Sequence, residues 1–365
     1  MKNESKTIPS GWYYVADSSE IARGQVVRKE LFGQILALWR TESGAARVTD
    51  ATCPHLGSDL GKLGKVVGEH LQCFSHRFEY DGAGTCVKTP RATPCRTEAV
   101  LHSYPVHEVS GFVLAWYDAA RRQPTWRIPD HVFDAAGHGR FVKSQYTFDC
   151  SVETINEDNF DVGHLFNWHE LSEVKSTLPT VDGATISVVH DFTRHSILTQ
   201  RKLPPPFHVL SREITSRYGS TLYGHGLTYS FIEIPAFEFL TQDFIWPTPI
   251  SATKTLYTTF LRRKLPSGKR TLRQRLLQTV LHPVLFPAFV IRLRLEHKHE
   301  GRGFWENQLR VEEPIITERE RPMLEPYWEW CRQFDVDQRP PRRYLPTVTE
   351  PAAPAKKARK AARTA

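Results

Sequence analysis

The chain has 365 residues, of which 40% are hydrophobic and 24% charged, a composition typical of globular proteins and a length sufficient for two domains. The formal net charge is +8, but five of the positive charges lie close to the C-terminus, on Lys356, Lys357, Arg359, Lys360 and Arg363. The rest of the chain is nearly balanced, which argues against a nucleic-acid-binding protein.

Both ends of the sequence are polar. The N-terminal segment MKNESKTIPSGW lacks the apolar core of a secretory signal, so we expect a cytoplasmic protein, whose reducing surroundings suit a metal cluster. At the other end, residues 346–365 combine basic side chains with Ala and Pro and cannot bury enough apolar surface to fold. This segment is predicted to be a disordered, solvated tail.

Residues 11–120 have the pattern of a small antiparallel β domain. Short apolar runs with frequent turns extend from Gly11 to about Trp116, as in residues 35–39 and 111–116. Runs of this length and composition are typical of β-strands.

Two pairs of metal-ligand residues lie within this region. Cys53 and His55 form the first pair, Cys73 and His76 the second, and seventeen residues separate the pairs. A [2Fe–2S] cluster held by two Cys on one iron and two His on the other requires this ligand set. Because imidazoles are neutral, such a cluster is less negative than an all-Cys cluster and has a higher reduction potential. The pairs predict a one-electron relay.

A structural zinc site is the alternative for the same four side chains. Zinc fingers usually group their two Cys and their two His separately, as C-x2–4-C followed by H-x3–5-H. Here Cys and His alternate, and one residue separates Cys53 from His55. Glycines follow each pair, which favours two finger-like loops that meet around a cluster.

The stretch CPHLGSDLGKLGKVVGEHLQCFSHRFEYDGAGTCVK resembles the Rieske iron–sulfur domain. The resemblance implies that the two Cys–His pairs hold a [2Fe–2S] cluster. Respiratory and photosynthetic Rieske proteins carry a further Cys in each loop and link these by a disulfide, whereas Ser58 and Ser75 occupy the matching positions here. The resemblance is therefore to the oxygenase-type or ferredoxin-type branch. A chain much longer than a ferredoxin further suggests that the electrons are used within the same polypeptide or its oligomer.

Residues 121–345 are predicted to form a second domain of the α+β class. A polar segment at 121–129 precedes a strand-like run at 141–150 and a helical stretch at about 152–169. The later pattern predicts strands at 185–191, 195–199, 226–234, 237–244 and 254–262, and helices at 272–305 and 323–334. Strands packed with long helices on one side indicate an α+β architecture.

A second candidate metal site lies in the first of these helical stretches. Asp161 and His164 are three residues apart and share a helix face, whereas the five-residue step from His164 to His169 spans about 140° on an ideal helix. Both rings can reach one ion only if the helix loosens through a π-bulge or ends near His169. Two imidazoles and a carboxylate form the facial triad of O2-activating non-haem Fe(II) enzymes. Solvated or core histidines are the alternative.

Together with the preceding Rieske motif, this segment resembles the α-subunits of Rieske non-haem iron oxygenases. The resemblance implies an antiparallel β Rieske domain joined to a helix-grip catalytic domain, with His164 and His169 as iron ligands. It also implies that Asp161 bridges the two centres across a subunit boundary, between His164 and a cluster ligand, and hence a trimer. The alternative is that Asp161 is itself the third iron ligand.

The third iron ligand of this family is normally a carboxylate far downstream, after a long helix. Glu300, shortly before Trp305, fits best, and Glu306 is the fallback. The sequence departs from the family pattern in two respects, because the usual Asp is absent at this place and Asp158 stands where relatives often carry Asn.

The resemblance implies an oxygenase that receives electrons from NAD(P)H through a separate ferredoxin or flavin reductase. The product would be hydroxylated, desaturated or dealkylated. The layout is most similar to the branch that contains the 3-ketosteroid 9α-hydroxylase oxygenase component and sterol 7-desaturases, so we expect a bulky lipophilic, polycyclic or aromatic substrate. The alternatives are a Rieske electron-transfer protein and a zinc-stabilised binding module.

An apolar stretch at 276–291, interrupted by two prolines, is too short and too broken to span a membrane. It is interpreted as a core helix, or else as a lid over the substrate or a peripheral membrane contact with basic residues at its rim.

Overall fold

The computed structural model describes residues 7–90, 93–134, 137–194, 213–265, 271–309, 311 and 314–334. Small antiparallel sheets form the N-terminal part, and a large antiparallel sheet flanked by helices forms the C-terminal part, which confirms the predicted α+β class. The predicted strand at 195–199 and the predicted tail at 346–365 lie outside the described residues.

The N-terminal part is built from short strands with one short helix, α1 (Leu60–Leu63). The strands are β1 (Gly11–Asp17), β2 (Val26–Leu31), β3 (Gln34–Arg40), β4 (Ala46–Asp50), β5 (Gly64–Val67), β6 (His70–Cys73), β7 (Glu79–Tyr80), β8 (Cys86–Lys88), β9 (Ser103–Tyr104), β10 (Val106–Val109) and β11 (Phe112–Tyr117). They pair in the orders β1-β11-β10, β2-β3-β4-β9 and β5-β6-β7-β8. Side chains such as Tyr13, Leu36, Leu38 and Val113 fill the core between the first two sheets.

The C-terminal part is organised around one sheet, to which eight strands of the described residues belong. These are β12 (Val142–Phe148), β13 (Ser172–Ser176), β14 (Thr180–Asp182), β15 (Thr185–Arg194), β16 (Ile214–Tyr223), β17 (Leu227–Ile234), β18 (Phe239–Ser251) and β19 (Lys254–Arg263). The order is β12-β19-β18-β17-β16-β15-β13, and β14 pairs with β15. Strand β16 was not predicted, because its buried positions include Ser216 and Ser220 and the apolar alternation is lost.

The late helical region packs against this sheet, as its apolar character predicts. It consists of α4 (Leu272–Leu276), a π-helical segment (Leu277–Leu281) and α5 (His282–Gly303). Further along the chain, α6 (Arg321–Cys331) is followed by a 3-10 helix (Arg332–Phe334). Leu285, Phe289 and Val290 of α5 lie in one core with Phe239 and Leu261 of the sheet. None of the helices within the described ranges combines the length and apolarity needed to cross a bilayer.

The predicted helix at 152–169 is two short helices, α2 (Val152–Glu157) and α3 (Val162–Asn167). The Oδ1 atom of Asp161 accepts a hydrogen bond from the His164 backbone N–H at 3.0 Å, so Asp161 is the N-cap of α3. At the other end, the His169 N–H reaches the His164 carbonyl over a five-residue step at 3.3 Å. The expectation that the helix ends near His169 is confirmed.

Specific contacts join the two parts of the chain. The Thr248 hydroxyl donates to the Tyr14 carbonyl at 2.8 Å, and the Lys143 ammonium lies 2.6 Å from the Asp17 carboxylate. The last strand of the first part ends at Tyr117, and the first strand of the second begins at Val142. The domain boundary at residue 120 remains a prediction.

Candidate metal centres

The two Cys–His pairs occupy two loops that meet at one end of the N-terminal part. Cys53 follows β4 and Cys73 is the last residue of β6; both are buried, whereas His55 and His76 are exposed. The two imidazole rings lie 4.6 Å apart between centroids, and His55 stacks on Phe78. All four predicted cluster residues therefore converge, with the thiols toward the core and the imidazoles toward solvent.

The two loops repeat one backbone pattern. In the first, the Cys53 N–H donates to the Ser58 carbonyl and the Gly57 N–H donates back to Cys53, at 2.9 and 2.8 Å. In the second, the Cys73 N–H donates to Phe78 and the Arg77 N–H donates back to Cys73, both at 2.8 Å. The fourth residue after each Cys has a positive φ, +77° at Gly57 and +61° at Arg77. This repeated turn presents one Cys and one His from each side, an arrangement that fits a cluster with two ligands on each iron.

Polar contacts link and support these loops. The Ser58 hydroxyl donates to Ser75 Oγ at 2.9 Å, at the positions where some Rieske proteins carry a disulfide. The Tyr80 hydroxyl lies 3.2 Å from Cys53 Sγ. Burial raises the pKa of the Cys53 thiol, so a bound cation is needed to hold it as a thiolate.

The second centre brings together side chains from α3 and α5. His164 Nε2 lies 2.8 Å from Glu300 Oε1, His169 Nε2 lies 3.0 Å from the same oxygen, and the two Nε2 atoms are 3.0 Å apart. These three ligand atoms form a two-histidine, one-carboxylate set with the composition of the facial triad. His164 and Glu300 are each only 5% exposed.

A cation fits this arrangement better than hydrogen bonds do. Asp158 Oδ1 also lies near His164 Nε2, at 3.2 Å, but the geometry is not that of a hydrogen bond and this buried oxygen has no hydrogen-bond partner in the described structure. A ring nitrogen can donate only one hydrogen, yet two carboxylates and a second imidazole surround this atom. A divalent metal ion at their centre would satisfy all of them at once.

The electrostatics of the pocket point to the same conclusion. Burial raises the pKa of Asp158 to about 7. Burial alone would lower the pKa of His169, but Glu296 and Glu300 outweigh it and raise that pKa to about 10. Burial would likewise raise the pKa of Glu300, but its bonds to His164 and His169 bring the pKa below its usual value. The surrounding carboxylates thus favour a positive charge beside the two imidazoles, which a bound metal ion would supply.

Glu296 was not predicted from the sequence. It lies one helical turn before Glu300, and its Oε1 is 3.1 Å from His169 Nδ1, on the side of the ring away from Glu300. Its other oxygen pairs with Arg292 at 2.9 Å. Carboxylates in this position fix the tautomer and orientation of a metal-binding histidine. The four-residue spacing of the two glutamates on a helix was the available signal.

Two other carboxylates considered from the sequence, those of Glu306 and Asp161, are not among the converging ligands. Glu306 accepts a hydrogen bond from the Asp149 backbone N–H at 3.2 Å and is not among the three converging ligand atoms. Asp161 contacts His164 through the backbone N–H, as the N-cap, and its side chain lines a cleft with Glu157 and Glu320. His164 Nδ1 is buried without a hydrogen-bond partner in the described residues.

A cavity of about 150 Å³, partly open to solvent, reaches His164, His169 and Glu300. Its walls are mostly apolar and come from α2, α3, α5 and the facing strands, including Ile155, Leu165, Leu171, Phe192, Ile232 and Ile245. The polar lining includes Arg194, Tyr218 and Asn156. An apolar cavity with a few polar groups is the usual form of a small-molecule site.

The chain is similar to known proteins along most of its length. Residues 11–105 match the family model of the Rieske [2Fe–2S] domain. A cholesterol 7-desaturase of Xenopus laevis is 27% identical over 93% of this chain and 75% of its own length. That of Bombyx mori is 31% identical, over 58% of this chain and 45% of its own length. A probable 3-ketosteroid-9-alpha-monooxygenase, oxygenase component, of Rhodococcus rhodochrous is 22% identical over 90% of this chain and 80% of its own.

The fold is also that of a solved oxygenase. Dicamba monooxygenase with non-heme iron and dicamba superimposes with a TM-score of 0.60 and 19% identity, covering 90% of this chain and 97% of that one. The overall fold is therefore shared over most of both chains.

Proposed function

We propose that the chain is an α-subunit of the Rieske non-haem iron oxygenases and that it uses O2 and externally supplied electrons to hydroxylate, desaturate or dealkylate a bulky lipophilic substrate. The observation that carries the proposal is the convergence of His164, His169 and Glu300 at about 3 Å, within a buried and largely apolar cavity. A Rieske domain in the same chain supplies the electron relay that such an oxygenase requires.

The proposed cofactors are a [2Fe–2S] cluster on Cys53, His55, Cys73 and His76, and a mononuclear Fe(II) on the three converging residues. When bound, the cluster passes single electrons and the iron activates O2. The protein's own side chains orient the metal ligands and exclude water from the site. Glu296 holds the His169 ring in position, and the apolar walls around Glu300 keep solvent from the reacting atoms.

The electron partners we propose are a ferredoxin or flavin reductase driven by NAD(P)H and a neighbouring copy of this chain in a trimer. The exposed imidazoles are flanked by exposed apolar side chains, Leu56 at 72% and Phe74 at 59%, which suits a docking surface around the cluster. The cleft beside Asp161 would receive the neighbour's cluster. Asp161 would there bridge the two centres; among the described residues, its side chain contacts His164 through the backbone N–H and not through the ring.

A peripheral membrane contact through α4 and α5 is the proposed route for a lipophilic substrate. Exposed apolar side chains recur along these helices and the π-helical segment between them, at Leu272, Leu276, Val280, Val284, Ile291 and Leu295. Four-residue steps place such side chains along one side of a helix, the form of a helix that lies on a bilayer. The protein would thus work in the cytoplasm, at the surface of a membrane that holds its substrate.

The substrate class follows from the relatives, which include a cholesterol desaturase and a ketosteroid monooxygenase. We propose a sterol or steroid, or a polycyclic or aromatic molecule of similar bulk. Purified protein should contain iron and acid-labile sulfide and, with a reductase and NADH, should consume O2 and convert a steroid.

The control is the same mixture with His164→Ala. If the wild-type protein contained zinc and no acid-labile sulfide, the oxygenase assignment would be wrong and the chain would be a zinc-stabilised module. An intact cluster with no iron at the second site and no turnover would instead identify an electron-transfer protein.

A further inference from the structure

The wall of the cavity that reaches the iron ligands contains a buried guanidinium. Arg194 is the last residue of β15 and lines the cavity, although only 2% of its surface is exposed. Side chains alternate along a strand, so Arg194 projects from the same face as Phe192, which also lines the cavity. Arg194 is therefore part of the cavity wall, and its side chain is not a solvent-exposed one.

Arg194 has few partners for a buried cation. Its Nε donates to the Ser216 hydroxyl at 3.0 Å, and its guanidinium carbon lies 5.7 Å from the Phe192 ring centroid. Its Nη2 is buried without an acceptor, and no carboxylate pairs with it in the described part of the chain. A guanidinium carries five N–H donors in a planar fork that matches a carboxylate. A buried charge of this kind normally has a partner, because leaving it unpaired is costly.

The other charges of the cavity are already balanced. Glu296 pairs with Arg292, and a divalent iron would offset Asp158 and Glu300. One positive charge, that of Arg194, is then left over. Burial lowers the pKa of Arg194 to about 9, so the side chain keeps its proton at neutral pH.

We propose that the substrate is a lipophilic acid whose carboxylate binds Arg194 while its apolar body fills the cavity next to the iron site. The inference rests on the proposed oxygenase function and narrows its substrate class. A neutral hydroxyl or ketone oxygen could accept one hydrogen bond from the guanidinium but would leave the buried charge uncompensated. A carboxylate accepts two hydrogen bonds in parallel and removes that charge.

The experiment compares an acid with its neutral twin on the holoenzyme, with cluster and iron loaded and O2 excluded. 5β-Cholanic acid and its methyl ester share the same ring system and differ in charge. Isothermal titration calorimetry should give a Kd for the acid about ten- to a hundredfold lower than for the ester, the range expected of one charge-assisted contact. Arg194→Gln should remove this preference, so that the Kd for the acid rises to that for the ester.

Two further variants keep the test decisive. Arg217→Gln is the matched control, because Arg217 lies on the neighbouring strand β16, is exposed and already pairs with Asp191 at 2.8 Å; it should retain the preference. Arg194→Lys keeps the charge without the fork, so it should weaken but not abolish the preference, and it replaces Arg194→Gln if that variant does not fold.

The outcomes separate this inference from the function on which it rests. Equal affinity of the wild-type enzyme for acid and ester, with turnover of a neutral steroid, would overturn the inference and leave the oxygenase function standing. Retention of the preference in Arg194→Gln would also overturn it. Failure of every steroid, charged or neutral, to bind or to be converted would overturn the proposed substrate class and this inference with it.

Discussion

The two candidate metal centres of this chain differ in the solvent exposure of their proposed ligands. At the cluster site the thiols are buried and the imidazoles are exposed at the tips of two loops, beside an exposed Leu56 and Phe74. At the iron site, by contrast, His164 and Glu300 are both buried at the base of an apolar cavity. One centre is open to a protein partner, and the other admits only what the cavity accepts.

This difference fits the roles proposed for the two centres. An electron can pass between proteins only over a short distance, so the exposed imidazoles suit a relay that must approach its donor and acceptor. O2 activation benefits from a dry site, in which charges act strongly and side reactions with water are suppressed. The supporting groups differ accordingly. Hydroxyls of Ser58, Ser75 and Tyr80 surround the cluster loops, whereas the carboxylates of Asp158 and Glu296 surround the iron site.

Loss of one iron ligand should produce the largest difference between the two centres, because it should affect one and spare the other. His164→Ala removes the nitrogen around which the other donors gather, so iron should be lost and turnover should become undetectable. The cluster loops lie in the other part of the chain, so the visible absorption of the cluster should persist. Iron and sulfide analysis with optical spectra measures both quantities. Simultaneous loss of cluster absorption would contradict the independence of the two sites.

The link between the centres should be the next most sensitive feature. Asp161→Asn keeps a good N-cap for α3 but removes the negative charge, so both metals should remain while turnover falls by about 100-fold at most. Single-turnover oxidation of the reduced cluster is the direct measurement. Asp161→Ala, which also removes the cap, serves as the comparison. An unchanged rate in Asp161→Asn would remove Asp161 from the electron path.

Support of the buried centre by Glu296 should have a smaller effect. Glu296→Gln weakens the contact to His169 Nδ1 and the pairing with Arg292, so iron affinity should fall by roughly tenfold. Competition with a chelator measures this. The matched control is Glu325→Gln, which breaks a similar Arg–Glu pair, with Arg321, on α6. Equal effects of both substitutions would indicate a general loss of helix stability and not a role at the metal.

The effect of Tyr80 on the reduction potential of the cluster should be the smallest of these effects. Tyr80→Phe removes a hydroxyl 3.2 Å from Cys53 Sγ, and hydrogen bonds to cluster sulfurs raise the potential. A bond of about 1 kcal/mol corresponds to a drop on the order of 40 mV for a one-electron couple. Redox titration measures the shift. Tyr104→Phe, whose hydroxyl binds Asp50, is the control and should leave the potential unchanged.

The iron site illustrates how far a sequence pattern can lead. The spacing of His164 and His169 required a helix that loosens, and the chain meets this with a new helix start at Asp161 and a five-residue turn at His169. The role of Glu300 followed from resemblance and not from spacing, because 130 residues lie between it and His169 and the packing of α5 on the sheet brings the two together. Its place beside the imidazoles supports its proposed role as the third ligand.

The sequence by itself determined the ligand types, the two-part order of the chain and the α+β class, because these depend on local spacing and on strand and helix periodicity. Only the tertiary structure decided which carboxylates surround the iron site and that Arg194 is left without a carboxylate partner in the described residues. Asp158, Glu296 and Arg194 come from separate elements, and their roles depend on distances across the cavity. No local pattern encodes such distances, because folding brings together residues whose separation along the chain is arbitrary.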